Sequence, residues 1–242
     1  MQKHLLVNAV LVGFALVGTA HAQVSTPAVI EKNDAAEASS PSVEQPFFDD
    51  DGGRVFIVRR SAGALGSLRY HGGEVISQPQ QYNIFLGGAW SDSELRRREA
   101  AFSSLLSQTN KRAEQVTLDT YGVKNTFLPS QNQEQPFDFS RDQSISDLRI
   151  QAALEAMLKT GAIQAPTPNT IYVVFLPPEI SSTLGSMIGG KHFTAYHNFF
   201  HGEQGEVRYV VVPFEPQEKL AKQFAARALI ETALNPTGNG WY

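Results

Sequence analysis

The chain has 242 residues, a formal net charge of −4 and no cysteine. Without cysteine it cannot be a disulfide-stapled scaffold, so it must rely on an apolar core, for which the length suffices. Mild acidity argues against nucleic acid or an anionic membrane as a partner.

Residues 1–22 read as an export signal. Lys3 gives a positive start, Leu5 to Leu16 is a mostly apolar run, and Ala20-His21-Ala22 is an A-x-A cleavage site. The run is too short to span a bilayer, and no later segment is long and apolar enough. The expected location is therefore secreted or periplasmic. Residues 23–52 are rich in Ser, Ala, Pro and acidic residues and predict a flexible linker. Asp49-Asp50-Asp51-Gly52 lacks the spaced ligands of a calcium loop and reads as a solvated charge run.

Residues 53–242 predict one folded domain. Val55 to Val58 is a first strand, and Tyr82 to Leu86 a second. Residues 91–108 predict a helix, with Ser91 and Glu94 at capping-box spacing. Leu95, Phe102, Leu105 and Leu106 form its apolar stripe, and Arg96, Arg97 and Arg98 its polar side. A weak alternation over 115–123 predicts a strand, and the polar stretch 131–142 a loop. Residues 144–160 predict a helix with Leu148, Ala152, Met157 and Leu158 inward, stopped by Gly161. Thr170 to Leu176 and Val207 to Phe214 are continuous apolar runs, the signature of strands buried on both faces. Residues 217–233 predict the last helix, stopped by Asn235-Pro236. Interleaved helices and strands predict an α/β fold: a single αβα sandwich on a mixed sheet.

The chemistry-bearing residues are few. Gly185 to His192 imitates a phosphate loop but has His where Ser or Thr must hold magnesium. No G-x-S-x-G elbow is present. Asp147 and Glu155 read as isolated surface carboxylates. His192, Tyr196, His197 and His201 lie in an aromatic-rich stretch suited to a strand or loop. They suggest a binding patch able to stack a sugar ring rather than a metal site, since no acidic or thiol ligand is near in sequence.

The C-terminal segment Arg227-Ala-Leu-Ile-Glu-Thr-Ala-Leu-Asn-Pro-Thr-Gly-Asn-Gly-Trp-Tyr242 resembles the signature of the Exordium, or phosphate-induced, protein family. There the helix carries Ser-His-Glu-Leu-x-Glu, then Asn/Asp-Pro and Asn-x-Trp-Tyr. Tyr70-His-Gly-Gly73, Gly88-Ala-Trp90 and Tyr196-His197-x-Phe199 resemble further family pieces, in the same order. The likeness spans roughly residues 66–242. It implies a zincin-like fold and an extracellular protein of the cell wall or envelope. It also implies an acid beyond the Trp-Tyr turn, which the sequence given does not reach. Arg227 and Ala228 stand where the family has its metal-ligating His and basic Glu. Arginine is always cationic and alanine moves no proton. Arg227, Ala228, Glu231 and Asn235 then make a vestigial site, with no metal or cofactor expected. Glu231 and Arg227, at i,i+4, suggest a surface ion pair. The expected function is binding, to carbohydrate or a surface protein. The alternatives are a zincin-like hydrolase using His192, His197 and Glu231, or a structural envelope protein.

Overall fold

The computed structural model describes residues 47–48, 54–58, 68–103, 105, 118–124, 128–135, 137 and 143–242. Residues 1–22, expected to be an export signal, Asp49 to Gly52 and most of the stretch expected to be a linker lie outside the described residues. Phe47–Phe48, within the linker stretch, form strand β1 and pair antiparallel with β2, Arg54–Val58.

Eight further strands are described: β3 (Gln80–Leu86), β4 (Leu128–Gln135), β5 (Ser144–Ser146), β6 (Thr170–Phe175), β7 (Ser181–Leu184), β8 (Met187–Ile188), β9 (Ala195–Gly202) and β10 (Gly205–Val212). Seven of the ten strands form one sheet in the order β1-β2-β9-β10-β6-β3-β4, and β5-β7-β8 form a small second sheet. β10, β6, β3 and β4 run parallel, whereas β2, β9 and β10 are antiparallel neighbours. The main sheet is therefore mixed.

Helices α1 (Ser93–Phe102) and α3 (Glu218–Leu234) cover one face, and α2 (Asp147–Lys159) the other. β6 shows why its run is continuously apolar. Ile171, Val173 and Phe175 point to the α1/α3 layer, and Tyr172, Val174 and Leu176 to the α2 layer. The described residues form a single α/β domain with two cores, one on each face of the sheet.

Local chemistry departs from the sequence reading in several places. Helix α1 is capped by Asp92, whose carboxylate accepts from the Glu94 N–H at 2.8 Å; Ser91 belongs to the preceding 3-10 turn. Arg98 is buried rather than on the polar side. Leu118 starts a helical turn instead of continuing a strand. The polar stretch from Gln131 to Gln135 is edge strand, because an edge strand needs only backbone bonds to β3 and one covered face. Ser144–Ser146 are strand, and Ser146 caps α2. The inward face of α2 is Asp147, Ile150, Leu154 and Leu158, while Leu148 is 47% exposed and Ala152 is exposed. Of the expected stripe, Leu158 is buried and Met157 packs against the core as expected, whereas Leu148 and Ala152 face outward. Gly161 ends α2 as expected.

Candidate functional site

The last helix and the turn after it form one unit with the segment before β3. Asn235 stops α3: its N–H donates to the Glu231 carbonyl at 2.9 Å, and its side-chain oxygen accepts from the Gly240 N–H at 2.8 Å. The chain then doubles back, and the Trp241 N–H reaches the Leu234 carbonyl at 3.0 Å. A side chain at position 240 would collide with that same carbonyl, so the turn requires glycine there.

Residues 69–73 run antiparallel to this turn. Arg69 and Tyr242 exchange backbone bonds of 3.0 and 3.1 Å, the His71 N–H donates to Gly240, and Gly73 to Asn239. Tyr70 and Trp241 form an isolated antiparallel bridge. Tyr-His-Gly-Gly and Asn-Gly-Trp-Tyr, far apart in sequence, are thus direct partners. Their rings pack together. Trp241 lies 5.1 Å from Tyr70 and 4.7 Å from Tyr121 between ring centres, and His71 stacks on Tyr242 at 3.8 Å. Trp241 also leans on the α3 core, while Tyr70 remains 54% exposed. The result is a surface ledge of aromatic rings.

One turn back along α3, Arg227 Nε lies 2.6 Å from Glu231 Oε1. The pair is not the surface bridge expected from spacing. The Glu231 side chain is only 8% exposed and that of Arg227 30%. Ala228 is fully buried in the core. Arg227, Ala228, Glu231 and Asn235 therefore share one stretch of helix and its cap, with Ala228, Glu231 and Asn235 buried and Arg227 partly so.

The histidine patch does not assemble. Alternation along β9 sends His197 to the α3 face and Tyr196 to the α2 face. His197 is fully buried, stacks on Phe56 at 4.8 Å, and has no hydrogen bond to either ring nitrogen. Burial holds its pKa down to about 3, so the ring is neutral. His192 Nδ1 accepts from the Ile188 N–H at 2.8 Å, a loop-closing bond. His201 is exposed, with Nδ1 3.8 Å from the Glu206 carboxylate. Among the described residues no three His, Asp or Glu side chains are grouped to hold a metal ion.

The sequence reading missed a buried carboxylate. Asp147, read as a surface group, is 3% exposed. Its oxygens accept from the Tyr209 hydroxyl at 2.8 Å, the Asn198 amide at 3.0 Å and the Gln151 amide at 2.8 Å. Burial raises its pKa, and hydrogen bonds from Tyr196, Tyr209, Gln151 and Asn198 oppose the rise. The signal was present in the spacing of Asp147, Ile150, Leu154 and Leu158, which is one helical face.

No family model matches the chain, and neither a curated protein nor a solved structure does. Among the described residues no helix is long and apolar enough to cross a membrane.

Proposed function

We propose that this is an exported protein of the Exordium kind that acts by binding, at the cell envelope or outside the cell, rather than by hydrolysis. The observation that carries this reading is the Arg227–Glu231 pair. In the resembling family that stretch of helix presents a metal-ligating His and a catalytic Glu. Here a permanent cation faces the remaining carboxylate at 2.6 Å and neutralises it, and the base position is a buried alanine. The pairing of Tyr70-His-Gly-Gly73 with Asn239-Gly-Trp-Tyr242 adds support, since the two stretches that carry the resemblance depend on each other.

The partner we favour is carbohydrate. Flat rings with polar edges, such as Tyr70, His71 and Tyr242, suit a surface that must stay wet at its rim and apolar at its centre. A hydrolase using His192, His197 and Glu231 would need those three to converge. His197 instead stacks on Phe56, and His192 closes its own loop.

The test uses purified chain from residue 23 onward. Co-sedimentation with insoluble cellulose, chitin and peptidoglycan should show retention on at least one polymer, reduced by Tyr70→Ala. Elemental analysis after chelator-free purification should find no stoichiometric zinc. Chelator-sensitive cleavage of a peptide library would overturn the reading. Retention on none of the polymers would favour a structural envelope protein.

A further inference from the structure

Asn239-Gly240 is the only Asn-Gly pair in the chain, and Asn239 is exposed whereas Gly240 is buried. An asparagine followed by glycine readily closes on itself, because glycine has no side chain to hinder its own backbone nitrogen. Once solvent base has taken its proton, that nitrogen attacks Cγ of Asn239. A C–N bond forms, the side-chain amide leaves as ammonia with a proton from water, and a succinimide ring remains. Water then opens the ring at one carbonyl or the other, giving aspartate or isoaspartate. In isoaspartate the chain runs through Cγ and is one carbon longer, and the former backbone carbonyl has become a free carboxylate.

The fold holds the peptide unit between these two residues at both ends. Its N–H, on Gly240, donates to Asn235 Oδ1 at 2.8 Å, and its carbonyl, on Asn239, accepts from the Gly73 N–H at 2.7 Å. Asn235 is 2% exposed, so the proton that must leave first is tied to a buried acceptor. The next peptide unit is held as well: the Gly240 carbonyl accepts from the His71 N–H at 2.9 Å, and the Trp241 N–H donates to Leu234 at 3.0 Å. The Leu234 and Glu74 carbonyls crowd Gly240 from the side where a side chain would stand. Cyclisation requires the Gly240 nitrogen to lose its proton and turn towards Cγ. Doing so breaks the bond to Asn235 and strains the one to Gly73, and a buried polar group left without its partner is costly.

We propose that Asn239-Gly240 is a self-modification site, converted to isoaspartate through the succinimide, and that Asn235 gates the reaction by holding the Gly240 N–H. The conversion undoes the junction that carries the aromatic ledge. The carbonyl that accepts from Gly73 ceases to be part of the main chain, and Gly73 lies too close to Asn239 to admit a longer backbone there. Tyr70 and Trp241, paired across this junction, then lose the frame that sets them side by side. The inference stands on the geometry of the turn and does not depend on what the ledge binds.

The experiment incubates the chain from residue 23 onward in mildly alkaline buffer, native and unfolded in urea, and follows isoaspartate at position 239 by peptide mapping with mass spectrometry. The urea-unfolded chain should convert about tenfold faster than the native protein or more, the factor expected from one hydrogen bond to a buried group. Native Asn235→Ala should convert about tenfold faster than the native unsubstituted protein, whereas Asn235→Asp, which keeps an acceptor oxygen, should stay slow. The isolated isoaspartate form should melt at a lower temperature than the unmodified protein. No isoaspartate even in urea would overturn the site. Equal rates in the native and unfolded chains, or an unchanged rate in folded Asn235→Ala, would overturn the gate. An unchanged melting temperature would overturn the release of the ledge. Should Asn235→Ala fail to fold, hydrogen exchange in the unsubstituted protein decides: a protected Gly240 amide supports the gate, and a freely exchanging one overturns it.

Discussion

The Gly73 N–H donates to the Asn239 carbonyl at 2.7 Å, and the two backbones lie so close that no side chain fits between them. This contact joins the segment before β3 to the turn after α3. Gly73→Ala should push that turn away and cost about 1–3 kcal/mol, the usual range for overpacking. Gly88→Ala is the control, because a methyl there meets nothing within 4 Å. Urea unfolding of the two variants should separate them clearly.

Removing Trp241 and Tyr242 tests the other side of the same junction. Their rings cover Tyr121 and His71, and their backbones hold Leu234 and Arg69. Partial burial of two large rings at about 25 cal/mol per Å² corresponds to roughly 2 kcal/mol or more. A chain ending at Gly240 should show a lower thermal midpoint. An unchanged midpoint would mean the rings contribute no stability in solution.

What the sequence disclosed, and what it hid, follows from where the information sits. β6 and β10 were legible because a strand buried on both faces must be apolar throughout. The α2 helix was legible as a helix, but its inward face was not. A buried Asp147 looks like a surface residue until Tyr209 and Asn198, from other strands, are seen to satisfy it. β4 was hidden because its edge position tolerates Gln and Asn. Arg98 was assigned to solvent for a similar reason: the carbonyls that hold it come from Glu215 and Pro216, far along the chain. Of the candidate site, the pairing of Arg227 with Glu231 was legible from i,i+4 spacing, whereas its burial was not. The histidines of 192–201 were grouped by sequence proximity, and strand alternation then separates Tyr196 from His197.

The Arg227–Glu231 pair should behave as a partly buried one. Arg227→Ala exposes Glu231 to the loss of a charge-assisted bond and should cost about 1–3 kcal/mol. A double-mutant cycle with Glu231→Ala should return a coupling energy well above the few tenths of a kcal/mol typical of exposed helix pairs. Ala228→Glu should destabilise more than either, since it places a carboxylate in a fully buried position. The double substitution Arg227→His with Ala228→Glu should therefore disrupt the helix's packing before it yields any peptidase activity.

Asp147 ties α2 to β9 and β10. Asp147→Ala removes the acceptor of the Tyr209 hydroxyl and the Asn198 amide, both buried, and should cost about 3 kcal/mol. Asp147→Asn keeps one acceptor oxygen and should cost less. Chemical unfolding monitored by far-ultraviolet circular dichroism would rank the three proteins.

Glu99 supplies a pH dependence whose direction is fixed. Its pKa rises from an ordinary 4.5 to about 7, first through burial and then through the nearby Glu134, with Arg96 opposing. Between these two values the native protein holds a proton that the unfolded chain has released. The native state is therefore favoured at the acid end, and that contribution is lost as pH rises from about 4.5 through about 7. Asp147 shifts in the same direction, so the informative comparison is between the unsubstituted protein and Glu99→Gln. The glutamine variant cannot ionise at position 99. It should gain thermal stability relative to the unsubstituted protein at pH 8, with little difference at pH 4.5. Parallel midpoint curves for the two proteins across this range would show that Glu99 reaches water freely and titrates as an ordinary carboxylate.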